Sequence, residues 1–152
     1  MEQQLRNSIE RLTGWVEGHD FKAYDPGDGE LSYLRHLTFG VPLLSRVLTA
    51  SVLRTPFHIR PLIGIRPHTS TKGMGYMGWG YTKMFAITGE PRYRAQAEHC
   101  FQWLIEHRSP GREHYGWGNN FAFTTRSGTM ARYTPTIVWT GLIGMAFVEA
   151  YE

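Results

Sequence analysis

The chain has 152 residues, 41% of them apolar, with 16 basic side chains against 13 acidic ones for a net charge of +3. This is enough for one domain with a core of its own, and it excludes a disordered chain. The only cysteine, Cys100, excludes an intrachain disulfide and a zinc site built on paired thiolates.

The N-terminus, MEQQLRNSIERL, carries charge where a signal peptide needs an apolar run. The longest apolar segment, 136–150, falls short of the ~20 residues that span a bilayer. The expectation is an unexported, cytoplasmic protein with no membrane span.

Leu5, Ile9, Leu12 and Val16 recur at helical spacing with Arg6, Glu10 and Arg11 between them, which predicts an amphipathic helix ending near Gly18. The following GHDFKAYDPGDGE is turn chemistry throughout. A second helical region starts near Leu31, breaks at Gly40 and Pro42, and resumes through Leu44, Val47, Leu48 and Val52 until Pro56 and Pro61 end it.

The stretch TKGMGYMGWGYTKMF places glycines at 73, 75, 78 and 80 in what otherwise reads as helix. Each costs about 1 kcal/mol relative to alanine, so close packing has to offset them. Met74, Met77, Tyr81, Met84 and Phe85 share one face, and Tyr76, Trp79 and Ile87 make the other sides apolar too, which predicts a helix buried all round. Gly89 closes it, and Pro91 opens the next helix, where Tyr93, Ala97, Cys100, Phe101 and Leu104 form a single apolar stripe.

After a long connection, Thr134 and Pro135 read as N-cap and first-turn proline of a last helix, again apolar on nearly every side. The order of buried, half-wet and buried helices, repeating over about 60 residues, is what concentric layers produce.

Two places could carry chemistry. Asp20, Asp25 and Asp28 are the only aspartates, and Glu30 follows them closely. Carboxylates on such a loop serve as general acid or base, or as turn and cap residues, since Asp before Pro or Gly is ordinary turn chemistry. DPGDGE does not fit a calcium loop, and the histidines show no ligand spacing, so neither a metal nor a cofactor is expected.

The second place is the connection 109–133, which interleaves Tyr115, Trp117, Phe121 and Phe123 with Glu113, Asn119, Asn120 and Arg126. Aromatic faces beside amide and guanidinium donors suit sugar rings; the alternative is that these aromatics fold inward and plug the end of the helices. The arginines, Arg112 among them, are scattered along the chain without a dense block, which argues against nucleic acid and for local contacts.

Paired inner and outer helices, the turn TGEPRY between them, the loop YDPGDGELS, and WGNNFAF followed by PTIVWTGLIGMAFVEAYE together resemble the (α/α) toroid, or six-hairpin glycosidase-like, proteins. The likeness is greatest to bacterial homologues associated with polysaccharide metabolism. Gly27 stands where the resembled loop, Tyr-Asp-Pro-Tyr-Asp-Gly, carries an aromatic.

The resemblance implies an all-α array of α-hairpins, part of an (α/α)6 toroid, acting on a poly- or oligosaccharide as hydrolase, lyase or epimerase. It implies Asp25 and Asp28 as acid/base residues, with Tyr24, Trp117, Asn119, Phe121 and Arg126 as substrate contacts. Because a full toroid needs about twelve helices, residues 1–152 are expected to form one domain that is the N-terminal portion of a larger toroid, or one that completes itself by self-association through its unfinished helical edge. The alternative from another class is a non-catalytic α-hairpin module that binds a protein.

Overall fold

The computed structural model describes residues 2–111 and 113–152, the side chain of Glu2 excepted; Arg112 lies outside the described residues. The chain is mostly helical. In order it forms α1 (Glu2–Gly18), α2 (Pro42–Arg54), α3 (Thr71–Thr88), α4 (Pro91–Glu106) and α5 (Ile137–Tyr151), with short 3-10 turns at 28–31, 33–38 and 60–63. An antiparallel hairpin, β1 (Phe123–Thr125) and β2 (Gly128–Met130), interrupts the long connection, with Phe123 opposite Met130 and Thr125 opposite Gly128. None of the described helices is long and apolar enough to cross a membrane.

The main core is the junction of α3, α4 and α5, where Met74, Tyr81, Tyr93, Cys100, Leu104 and Ile143 are buried together. Two of the four α3 glycines sit at its closest approaches. A Cβ on Gly75 would fall 2.7 Å from Ile143 Cγ1 of α5, and one on Gly78 would fall 3.1 Å from Cys100 Cβ and 3.3 Å from the Phe101 ring of α4. Gly80 meets nothing within 4 Å, so its helical cost has no offset in packing.

The ends of these helices follow local chemistry. The Ser70 hydroxyl accepts from Gly73 N at 3.0 Å and caps α3, Gly89 leaves it in the left-handed region at φ 69°, and Pro91 occupies the start of α4. The start of α5 differs from the expected Thr134–Pro135. Thr136 is the cap, its hydroxyl accepting from Trp139 N at 3.3 Å, because Pro135 is held in an antiparallel bridge with Gly118.

Neither α3 nor α5 is buried all round, which corrects that expectation. Tyr76 and Ile87 on α3, and Ile137, Val138, Met145, Val148 and Tyr151 on α5, are exposed. The reason is neighbour number: α3 lies between α4 and α5, while α5 has its principal helical contact with α3 alone.

Burial of Cys100 pushes its thiol up to about 12. At pH 8 only ~1 in 10,000 such groups is thiolate, the reactive form. A disulfide-exchange reagent is therefore expected to leave the native protein unlabelled and to titrate one thiol once denaturant opens the α3–α4 contact; rapid native labelling would contradict that burial.

A second, smaller core joins Val52 of α2 to Ile63 and Ile65, with Tyr24, Leu34, Leu48 and Ile59 against it. It fixes the loop that leads to the cleft.

Candidate functional site

The chain leaves α1 by an abrupt reversal. Asp20 and Phe21 both take left-handed backbone angles, φ 51° and 56°, which cost non-glycine residues about 1–2 kcal/mol each. Phe21 N donates to Val16 O at 3.0 Å, and two residues later Ala23 and His68 exchange both backbone hydrogen bonds, at 3.2 and 3.0 Å. The loop is thus clamped to the segment that enters α3.

A third strand of chain completes the arrangement. Thr71 Oγ1 donates to Gly118 O at 2.7 Å, Asn120 Nδ2 donates to Thr69 O at 2.6 Å, and the Phe121 ring stands edge-on to His68 with centroids 5.3 Å apart. On its other side Gly118 is pressed against the segment entering α5, since a Cβ there would lie 1.9 Å from Thr134 O. Residues 19–25, 68–72 and 118–121 therefore meet at the N-terminal end of α3.

The first two of these segments, with the end of α1, line a cleft of about 130 Å³; residues 118–121 are not part of its lining. Trp15, Phe21, Met74 and Met77 give it apolar walls, while Tyr24, Asp25 and His68 stand at its polar side. Asp25 Oδ1 accepts from Gly27 N at 2.8 Å, and Oδ2 lies 3.6 Å from Lys72 Nζ on the first turn of α3. That position is favourable for an anion, which the helix dipole stabilises. His68 Nε2 and Asn120 Oδ1 are buried without a hydrogen-bond partner among the described residues, a condition that costs about 1–3 kcal/mol per group when nothing fills it.

The expected site residues separate into three sets. Tyr24 and Asp25 line the cleft, whereas Phe121, expected as a substrate contact, is 4% exposed, is not part of the lining, and packs edge-on against His68. Asp28 and Trp117 instead face inward. Asp28 is 0% exposed, with both carboxylate oxygens 3.0 Å from Arg60 Nε, so in this conformation it cannot reach a substrate. Trp117 is 3% exposed, donates its indole N–H to Leu104 O at 2.8 Å, and has a face covered by Phe147. Both groups are part of the fold's interior, and the inward-folding alternative describes Trp117.

Arg126 is exposed in the turn between β1 and β2 and is not among the residues lining the cleft. Asn119 contributes a backbone carbonyl that accepts from Tyr133 N at 2.7 Å, whereas its neighbour Asn120 carries the side chain that reaches the α3 entry.

Glu30 is the fourth acid of the cluster and is also spent internally, accepting from Thr124 N of β1 at 2.6 Å. Tyr24 bridges the two parts of the structure: it lines the cleft, and the Arg60 guanidinium lies 5.4 Å over its ring. His68 was absent from the sequence expectations because its significance depends on Ala23 and Phe121, which are far from it in sequence.

No group of three or more His, Cys, Asp or Glu side chains that could hold a metal ion occurs among the described residues. No family model, curated protein or solved structure matches the chain.

Proposed function

We propose that the chain binds an oligosaccharide at the cleft before α3, as the sugar-binding end of an (α/α) toroid-like cytoplasmic protein that acts as a hydrolase, lyase or epimerase. One observation carries the reading: Asp25, His68 and Tyr24 line one partly apolar cleft, and His68 Nε2 is buried without a hydrogen-bond partner among the described residues. A pyranose offers an apolar face to an aromatic ring and hydroxyl donors to carboxylate and imidazole acceptors. In the catalytic form of this reading Asp25 or His68 is the proton-transfer group, since general acid or base work requires a titratable side chain within hydrogen-bond reach of the sugar.

The test is calorimetric titration with neutral and acidic oligosaccharides, alongside product-release assays. Asp25→Asn and His68→Gln are expected to weaken binding about tenfold or more each, equivalent to about 1.4 kcal/mol, with unchanged melting temperatures. Loss of turnover with retained binding in either variant assigns proton transfer to that residue. Absence of binding to every oligosaccharide at millimolar concentration, or unchanged affinity and unchanged turnover in both variants, would overturn the proposal.

A second reading, a non-catalytic module that binds protein, is favoured by the exposed apolar residues on α2 and α5.

A further inference from the structure

Between Glu30 and Glu90 the sequence holds no acidic residue. The first part of that stretch packs around one small core: the turn 33–38, α2 and the turn 60–63 close on Val52, Ile63 and Ile65, with Leu34, Leu48 and Ile59 against them. Of its arginines only Arg60 has an acidic partner, the buried Asp28. Arg35, Arg46, Arg54 and Arg66 are exposed and make no salt bridge among the described residues.

The same part of the chain holds apolar side chains out in water. Ser45 and Val52 are the buried side of α2, so Leu43, Val47 and Arg54 fall on the opposite side, with Arg46 beside them. The apolar part of that side is short, but exposed phenylalanines stand at both ends of the helix, Phe39 before it at 84% and Phe57 after it at 76%. Phe39 is also held at φ 49°, a left-handed angle that suits glycine or asparagine better than a bulky residue. Neither backbone preference nor burial accounts for a phenylalanine at that corner, which points to a contact outside the chain.

Charge and shape select the partner. Exposed arginines with no acid among them attract an anionic surface, and exposed phenylalanine and leucine enter an apolar layer. The best-formed clefts of the described residues lie against α1, α3, α4 or α5 and include no residue of 31–66, so this surface offers a partner no socket to fill. A second copy presenting the same surface would set arginine against arginine. A bilayer containing anionic lipid needs no socket, since its headgroups are negative and the acyl boundary beneath them is apolar.

We propose that α2 and the turns flanking it dock on a membrane rich in anionic lipid, with Phe39 entering the headgroup region and Arg46 and Arg54 on the lipid anions. The contact is peripheral, since the 13 residues of α2 are too few to span a bilayer. Apolar insertion and a basic patch reinforce one another, because either alone holds a protein on a membrane only marginally. The proposal is independent of what occupies the cleft at α3.

Co-sedimentation with vesicles tests it. The wild type is expected to bind vesicles of phosphatidylcholine with roughly a third phosphatidylserine at about 0.1 M salt, and not to bind phosphatidylcholine alone. Arg46→Gln combined with Arg54→Gln is expected to weaken binding about thirtyfold, each arginine near the surface being worth about fivefold. Phe39→Asn, which suits the left-handed angle, is expected to weaken binding about tenfold while its melt stays at or above that of the wild type. All three positions are exposed, so the variants are expected to keep the wild-type circular dichroism.

No binding to the anionic vesicles, or equal binding to both kinds, overturns the proposal. Vesicle binding that none of the three substitutions weakens places the contact elsewhere on the chain and overturns it too. Tighter binding to a DNA duplex, weakened by the arginine substitutions and not by Phe39→Asn, overturns it in favour of nucleic acid.

Discussion

Gly78→Leu is expected to lower the melting temperature by about 2–12 °C, while Gly80→Ala raises it by about 2–4 °C. The two glycines are two residues apart on α3 and share the same backbone cost. At position 78 a Cβ already falls 3.1 Å from Cys100 Cβ and 3.3 Å from the Phe101 ring, so a leucine must push α3 and α4 apart. Overpacking of this kind costs about 1–3 kcal/mol, each kcal/mol being worth roughly 2–4 °C in a chain of this size.

At position 80 nothing lies within 4 Å, and alanine recovers about 1 kcal/mol of helix propensity. Thermal melts of the pair decide the point. If both substitutions stabilise, the α3–α4 contact is looser than the geometry requires.

Arg60→Met is expected to destabilise the protein by about 3–5 kcal/mol, the usual effect of stranding a buried charge. Arg60 is the ion-pair partner of the fully buried Asp28, with Nε 3.0 Å from both carboxylate oxygens. Adding Asp28→Asn to Arg60→Met removes the stranded charge and is expected to restore most of the loss, a coupling that a double-mutant cycle in urea measures.

The guanidinium also lies over Tyr24, so the single variant is expected to loosen the cleft as well as the fold. Equal stability of Arg60→Met and wild type would mean that the pair contributes nothing to holding the loop.

The helical elements were legible where punctuation and periodicity agreed. Gly89 and Pro91 mark the α3–α4 turn as they do in sequence, and the stripe Tyr93, Ala97, Cys100, Phe101 and Leu104 is the buried side of α4. The hairpin at 123–130 was not legible: its strands are three residues each, too short for period-two alternation to register. The start of α5 was misplaced because Thr134–Pro135 has the chemistry of a helix start, yet the bridge from Gly118 claims that proline.

Burial on α3 and α5 was overestimated for a related reason. Apolar composition states what a helix can bury, while the number of neighbours decides what it does bury. The site was legible in part. Asp25 and Tyr24 line the cleft, but three other features depended on partners distant in sequence. Asp28 turns inward to Arg60 and Trp117 to Leu104 O, while Asn120 rather than Asn119 reaches Thr69. Clustering of aspartates says that carboxylates are near one another; it does not say which of them faces water.

Hydrogen exchange with and without an oligosaccharide mixture tests the central claim most directly, because backbone protection reports where a ligand orders the chain, whichever sugar of the mixture binds. The expected result is new protection confined to residues 22–25, 68–74 and 118–121, the three segments that meet at the α3 entry, and its loss in His68→Gln. Protection that falls on other segments instead, or no ligand-dependent protection at all, would contradict a sugar site at this cleft.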